Sequence, residues 1–141
     1  LKDLGIPDFL ISSSLLAIIA QRLVRVLCVN CKRESEMSDE LKKRWISILG
    51  SDSFPKTFSA PGCESCNFTG YKGRAGIFEI VSVNEKIRSL ISENISETSL
   101  RKKLREDGFK TLLQDGISKV EQGITTPEEL LRVVMIEDME L

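Results

Sequence analysis

Two Cys-x-x-Cys pairs, CVNC at Cys28 and Cys31 and CESC at Cys63 and Cys66, hold every cysteine of a 141-residue chain that has no histidine. A Cys-x-x-Cys turn lets two thiolates reach the same ion, at sulfur–metal distances of about 2.3 Å for zinc. Two such turns supply four ligands and close a tetrahedral site. Residues 32–62 lie between the pairs, more than the roughly 15–20 residues of common zinc ribbons. Loop-closure entropy grows only with the logarithm of length, so the extra residues cost about 0.5 kcal/mol. Structural zinc contributes on the order of 10–16 kcal/mol in apparent terms, so the wide spacing is no objection. With four thiolates and no open position for water, the ion would be structural and not catalytic.

Three other readings stand beside zinc. Four buried free thiols would behave as small hydrophobes, but repeated spacing is unexpected for them. Disulfides belong to secreted chains, and nothing in the sequence argues secretion. A redox Cys-x-x-Cys usually occurs once, near a helix start in a thioredoxin-like context. Lys32, Arg33, Lys72 and Arg74 flank the turns, where they either offset the charge of a metal tetrathiolate or lie on plain solvated surface.

Lys plus Arg number 20 against 21 Asp plus Glu, so the basic excess of a nucleic-acid binder is missing. The longest apolar run, LLAIIA, is far shorter than the roughly 20 residues of a membrane span. No basic n-region followed by an apolar core opens the chain, so no secretory signal is read. The chain begins at Leu1 and enters an apolar stretch almost at once, which leads us to expect a piece of a longer protein.

Along the chain, Leu15, Ile18, Ile19, Leu23, Val26 and Leu27 recur at helical spacing, predicting a helix over about 14–26 after a short turn near residues 7–10. Arg22 and Arg25 would then share its polar face, with Glu79 as a candidate ion-pair partner. Ser38 is the expected cap of a second helix that buries Leu41, Trp45 and Ile48 and stops at Gly50. Residues 51–62 read as loop with one short extended piece. Gly70, Gly73 and Gly76 read as turn residues and not a phosphate loop: they precede a strand, IFEIV, and match neither GxxxxGK[ST] nor GxGxxG. Helices are then expected from Asn84 to Leu90, from Ser96 or Thr98 to Asp107, and over 110–122. A last one starts at the TPEE capping box, Thr126 to Glu129.

Four phrases together carry a resemblance: LGIPDFLISSSL, AQRLVRVLCVNCK, GCESCNFTGYKGRAGIFEI and DGISKVEQGITTPEELLRVV. They resemble, in order and over nearly the whole chain, the C-terminal part of type II secretion ATPases (general secretion pathway protein E) and their type IV pilus assembly relatives. Retraction ATPases of pili are similar but lack the cysteine pairs, so the secretion or extension branch fits better.

The resemblance implies a hexameric cytoplasmic ATPase working at the inner face of the cytoplasmic membrane. Its expected partners are the inner-membrane platform protein and neighbouring ATPase subunits. Cys28, Cys31, Cys63 and Cys66 fall on the family's zinc ligands. The implied fold is mostly α with a short β element: the helical C-terminal part of a RecA-like ATPase with a four-cysteine zinc-binding subdomain. The expected divisions are 1–27, helical end of the ATPase core; 28–73, zinc-binding subdomain with an inserted helix; and 74–141, a strand followed by a helical bundle. Zinc would hold the inserted segment, residues 38–49, as a projecting knob with Lys42, Lys43 and Arg44 as a docking face.

Nothing here matches the family's nucleotide machinery. The phosphate loop with its Lys and Mg²⁺ ligand is missing, as are the acidic and histidine boxes. ATP and Mg²⁺ would belong to the rest of the parent protein, and this piece alone should not hydrolyse ATP. Arg22 and Arg25 are candidates for contacting nucleotide or a neighbouring subunit. Two other classes compete. A zinc-ribbon nucleic-acid-binding module would show salt-sensitive binding to oligonucleotides, and a thiol redox enzyme would show reactive cysteines without zinc.

Overall fold

The computed structural model describes residues 4–50, 52–93 and 95–138. Among these residues six α-helices and four strands follow in the order α1 Asp8–Ser14, β1 Ala17–Leu27, β2 Arg33–Ser35, α2 Asp39–Leu49, β3 Thr57–Ser59, β4 Tyr71–Ser82, α3 Glu85–Ser92, α4 Glu97–Glu106, α5 Leu112–Glu121 and α6 Pro127–Asp138, with a short 3-10 turn at Glu64–Cys66 between β3 and β4. β1 pairs with β4 in one two-stranded sheet and β2 with β3 in another. Backbone bonds from Cys28 N–H to the Gly70 carbonyl and from Val83 N–H to the Leu16 carbonyl bracket the longer ladder, so β1 and β4 run in opposite directions.

The helix expected over 14–26 is corrected here. Helix α1 ends at Ser14, and eleven residues from Ala17 form a strand. Ile18, Ile19, Val24 and Val26 are β-branched and pack readily on a pleated surface. Once the stretch is extended, Arg22 and Arg25 point to opposite faces. The β content therefore exceeds one short element, since β4 reaches back from the expected IFEIV to Tyr71. Gly70 takes positive φ in the turn just before β4, whereas Gly73 and Gly76, also expected in turns, lie within the strand, Gly73 keeping a positive φ there.

The chain divides into two compact units, residues 1–20 with 79–111 and residues 21–78 with 112–141. Helices α3 and α4 fall in the first unit, and α5 and α6 in the second. In the first, Val83, Ile87 and Leu90 form a small core with Leu15, Leu100 and Leu104 against it. Asn84 and Ser96 cap α3 and α4 by accepting the N–H of Ile87 and Ser99.

The second unit holds the larger core, in which Val24 of β1, Ile77 of β4, Trp45 of α2, Val120 of α5 and Leu130 of α6 are all fully buried. Ser38 accepts the Leu41 N–H at the start of α2, and Gly50 ends it in the left-handed region. Leu41 and Trp45 plug α2 into this core, joined by Met37 just before the helix. Helix α2 is thus held by apolar burial of its own, and the projecting knob is replaced by a core element with one exposed face.

Candidate metal centre

Each cysteine pair sits on a tight turn whose carbonyls and sulfurs are used locally. The Cys28 carbonyl accepts from Cys31 N–H (3.3 Å) and Lys32 N–H (2.9 Å). The Cys63 carbonyl accepts from Cys66 N–H (3.1 Å) and Phe68 N–H (2.9 Å), and Thr69 Oγ1 donates to the Cys66 carbonyl (2.7 Å). Asn67 and Phe68 both take positive φ to complete the second turn. Cys28 N–H donates to the Gly70 carbonyl at 2.9 Å, which joins the two turns at the level of the backbone.

Two glycines make that approach possible. Gly62 and Gly70 have φ of +101° and +78°, and a Cβ on either would overlap the backbone of Phe68 or of Ala60. Only glycine combines that backbone with that closeness.

The four sulfurs lie within 4.8 Å of one another. Cys28 to Cys63 and Cys31 to Cys66 are each 3.9 Å, and Cys63 to Cys66 is 3.8 Å. A tetrahedron with sulfur–metal distances of about 2.3 Å has edges of about 3.8 Å, so the donor set fits a tetrahedral metal. It fits none of the alternatives as well, since all four cysteines are free and converge on one point. Burial pushes the Cys66 thiol up, but the N–H groups of Cys63 and Gly70, 3.2 and 3.3 Å from its Sγ, and then the Cys63 and Cys31 sulfurs bring it down to about 6. Cys31 is pushed the other way, to about 12, by burial and by its three sulfur neighbours against the Gly62 N–H. A cation at the centre would relieve that competition, because metal-bound thiols are deprotonated outright.

The flanking cations have other employment in part. Lys32 Nζ donates to the Gly123 carbonyl at 3.0 Å and lies 4.9 Å from the Phe58 ring centroid, so it caps the end of α5. Lys72 Nζ reaches Ser65 Oγ at 3.4 Å, and Arg33 and Arg74 are exposed.

A second polar cluster escaped the sequence reading. Arg25 pairs with Glu129, where Glu79 was the candidate. Glu129 Oε1 accepts Arg25 N–H (3.1 Å) and Arg132 Nη2 (2.8 Å), while Oε2 accepts Arg25 Nε (3.0 Å), Arg25 Nη2 (2.7 Å) and Arg132 Nε (3.0 Å). The Arg25 guanidinium stacks 4.1 Å from the Tyr71 ring centroid, and Tyr71 OH bonds Thr126 Oγ1 at 3.0 Å. Thr126 also accepts the Glu129 N–H, the expected half of the capping box. The TPEE motif gave Glu129 a local role; its contact with Arg25 depends on the fold.

Residues 1–132 match the family model described as Type II/IV secretion system protein. The chain is 44% identical over 135 residues to a type II secretion system protein E of Pseudomonas aeruginosa, and 42% identical over 133 residues to the type II secretion system ATPase E of Vibrio cholerae. Each match covers 94% of this chain and 26% of the relative. The type IV pilus assembly ATPase PilB of Thermus thermophilus is 39% identical over 131 residues, covering 93% of this chain and 15% of that protein. The chain thus spans about a quarter of the length of its secretion relatives, or less for the pilus protein. On these matches, and with its four cysteines gathered at one point, the chain belongs to the type II/IV secretion system protein family.

Proposed function

We propose that this chain is the zinc-bearing region of an ATPase that powers type II protein secretion or type IV pilus assembly. The gathering of Cys28, Cys31, Cys63 and Cys66 within 4.8 Å carries the metal assignment, and the similarity to secretion and pilus assembly ATPases supports the parent activity. When bound, zinc would supply cross-linking and charge neutralisation, and no chemistry on a substrate. The chain's own residues support it: Gly62 and Gly70 allow the turns to close, and the Cys63 and Gly70 N–H groups donate to the Cys66 sulfur and would stabilise it as a thiolate ligand.

The parent would be a RecA-like hexamer in the cytoplasm at the inner membrane, with ATP and Mg²⁺ held outside this region. The sequence offers no phosphate loop of its own, so the region serves assembly and docking and does not hydrolyse ATP alone. Its candidate docking face is the exposed side of α2, with Lys43 and Arg44. No helix among the described residues is long and apolar enough to cross a membrane, so contact with the inner membrane would run through the platform protein.

Elemental analysis with thiol titration before and after chelation tests the metal. One zinc per chain, with thiols released only on chelation, is the expected result; no metal and four reactive thiols would remove the assignment. Charge reversal at Lys43 and Arg44 in the full-length protein tests docking, and unchanged secretion and platform-protein binding would exclude that face.

A further inference from the structure

One buried carboxylate holds two guanidinium groups by the same edge, and among the described residues no acceptor meets the remaining edge of either. The Glu129 side chain has no exposed surface, and five N–H groups converge on its two oxygens. A carboxylate offers about four acceptor positions, so this one has no further capacity. Two cations against one anion leave a local charge of +1.

Arg25 and Arg132 both reach Glu129 through Nε and Nη2. A guanidinium is planar and carries five N–H donors in a fixed fork. The edge formed by Nη1 and the second hydrogen of Nη2 is therefore intact in each. Among the described residues neither outer edge meets an acceptor, and the side chains are 47% and 56% exposed. Both groups donate to Oε2, so they lie side by side although one comes from β1 and the other from α6. The Tyr71 ring fixes the plane of Arg25, and its own hydroxyl is tied to Thr126. The forks are ordered before any ligand arrives, which removes much of the entropic cost of binding.

Oxygen count selects the ligand. A carboxylate has two oxygens, and one fork uses both. A phosphoryl group has three or four and carries up to two charges, so it can bridge two forks and more than offset the local +1.

We propose that the outward edges of Arg25 and Arg132 form a binding site for a phosphoryl oxyanion, supplied as inorganic phosphate or as the phosphate tail of a nucleotide. The test is an NMR titration of the arginine Nε–Hε resonances of the purified chain with sodium phosphate, with sodium chloride at matched ionic strength, with sodium acetate, and with ATP. Saturable shifts at Arg25 and Arg132 with phosphate and not with chloride are expected. Arg132→Lys keeps the charge and loses the fork, and should weaken phosphate at least roughly fivefold with the other amide resonances unmoved. A tighter response to ATP than to phosphate identifies the nucleotide tail as the source; equal responses identify free phosphate. Shifts that track ionic strength alike in phosphate and chloride would overturn the site, as would undiminished phosphate affinity in Arg132→Lys. An equal or tighter response to acetate would overturn the phosphoryl assignment in favour of a carboxylate. Should Arg132→Lys disturb the fold, the phosphate–chloride comparison on the unmodified chain decides by itself.

Discussion

Arg25 donates both its backbone N–H and its guanidinium to Glu129, 104 residues further along the chain. Through that contact β1, just before the first cysteine turn, is fastened to the first turn of α6. Thr125 Oγ1 adds a bond to the Arg25 carbonyl at 2.8 Å, and Leu27 N–H donates to the Ile124 carbonyl at 2.8 Å.

The fastening should titrate. Burial pushes the Glu129 carboxyl up, but Arg132 and Arg25 outweigh it and hold the group at about 2, below the ordinary 4.5. A depressed carboxyl stabilises the folded chain fully above the unfolded value and loses that contribution as pH falls. Unfolding midpoints in denaturant should therefore fall between about pH 4.5 and 2 more steeply in the native chain than in Glu129→Gln. Parallel curves would show that the pair carries no such linkage. Glu129→Ala removes the buried acceptor but leaves two half-exposed guanidinium groups that water can solvate, so it should cost about 1–3 kcal/mol at neutral pH.

Metal removal should act locally first. Chelation is expected to lower the melting temperature and to speed amide exchange at residues 28–32 and 62–70. The amides of α2 should exchange later, because Leu41 and Trp45 remain in the core. Cys28→Ser and Cys66→Ser should each lose the ion. Retention of a stoichiometric metal in both would place the site elsewhere.

Gly70 and Gly73 separate two costs of adding one methyl group. Both have positive φ, but a Cβ at Gly73 meets nothing within 4 Å whereas one at Gly70 overlaps the Ala60 carbonyl. Gly73→Ala should cost about 1 kcal/mol from backbone strain alone. Gly70→Ala should cost about 3 kcal/mol or more, since overpacking adds to the strain. Equal denaturant midpoints for the two variants would refute the close approach.

Trp45 is fully buried, and its indole Nε1 finds no hydrogen-bond partner among the described residues. Leaving a buried donor unpaired costs about 1–3 kcal/mol. Trp45→Phe removes that donor along with some volume, so its net cost should be about 1 kcal/mol or less, whereas Trp45→Ala should cost about 3–5 kcal/mol. Equilibrium unfolding of both variants checks the contrast.

What the sequence disclosed was local chemistry. Ser38, Asn84, Ser96 and Thr126 act within a few residues of themselves, and each is found at the helix start expected of it. The cysteine pairs were readable because equal spacing carries their geometry. β1 was not readable, because its apolar residues fit a period of 3.6 by accident while residues 17–23 are exposed and present no single buried face. Its β-branched residues were the available signal. The partner of Arg25 was out of reach for another reason: Glu129 already satisfied a capping pattern, and nothing in that pattern points back to β1.

The bond from Cys28 N–H to the Gly70 carbonyl places the end of β1 against the start of β4, as a short hairpin loop would do for strands adjacent in sequence. A chain that must first bring such distant ends together folds slowly, because closure is unfavourable until the contacts it permits have formed. An ion captured early by the two turns would make those ends neighbours at once. Refolding of this chain should then run faster with the ion than without it, and the gain would lie in the rate of forming the β1–β4 ladder as much as in the stability of the finished molecule.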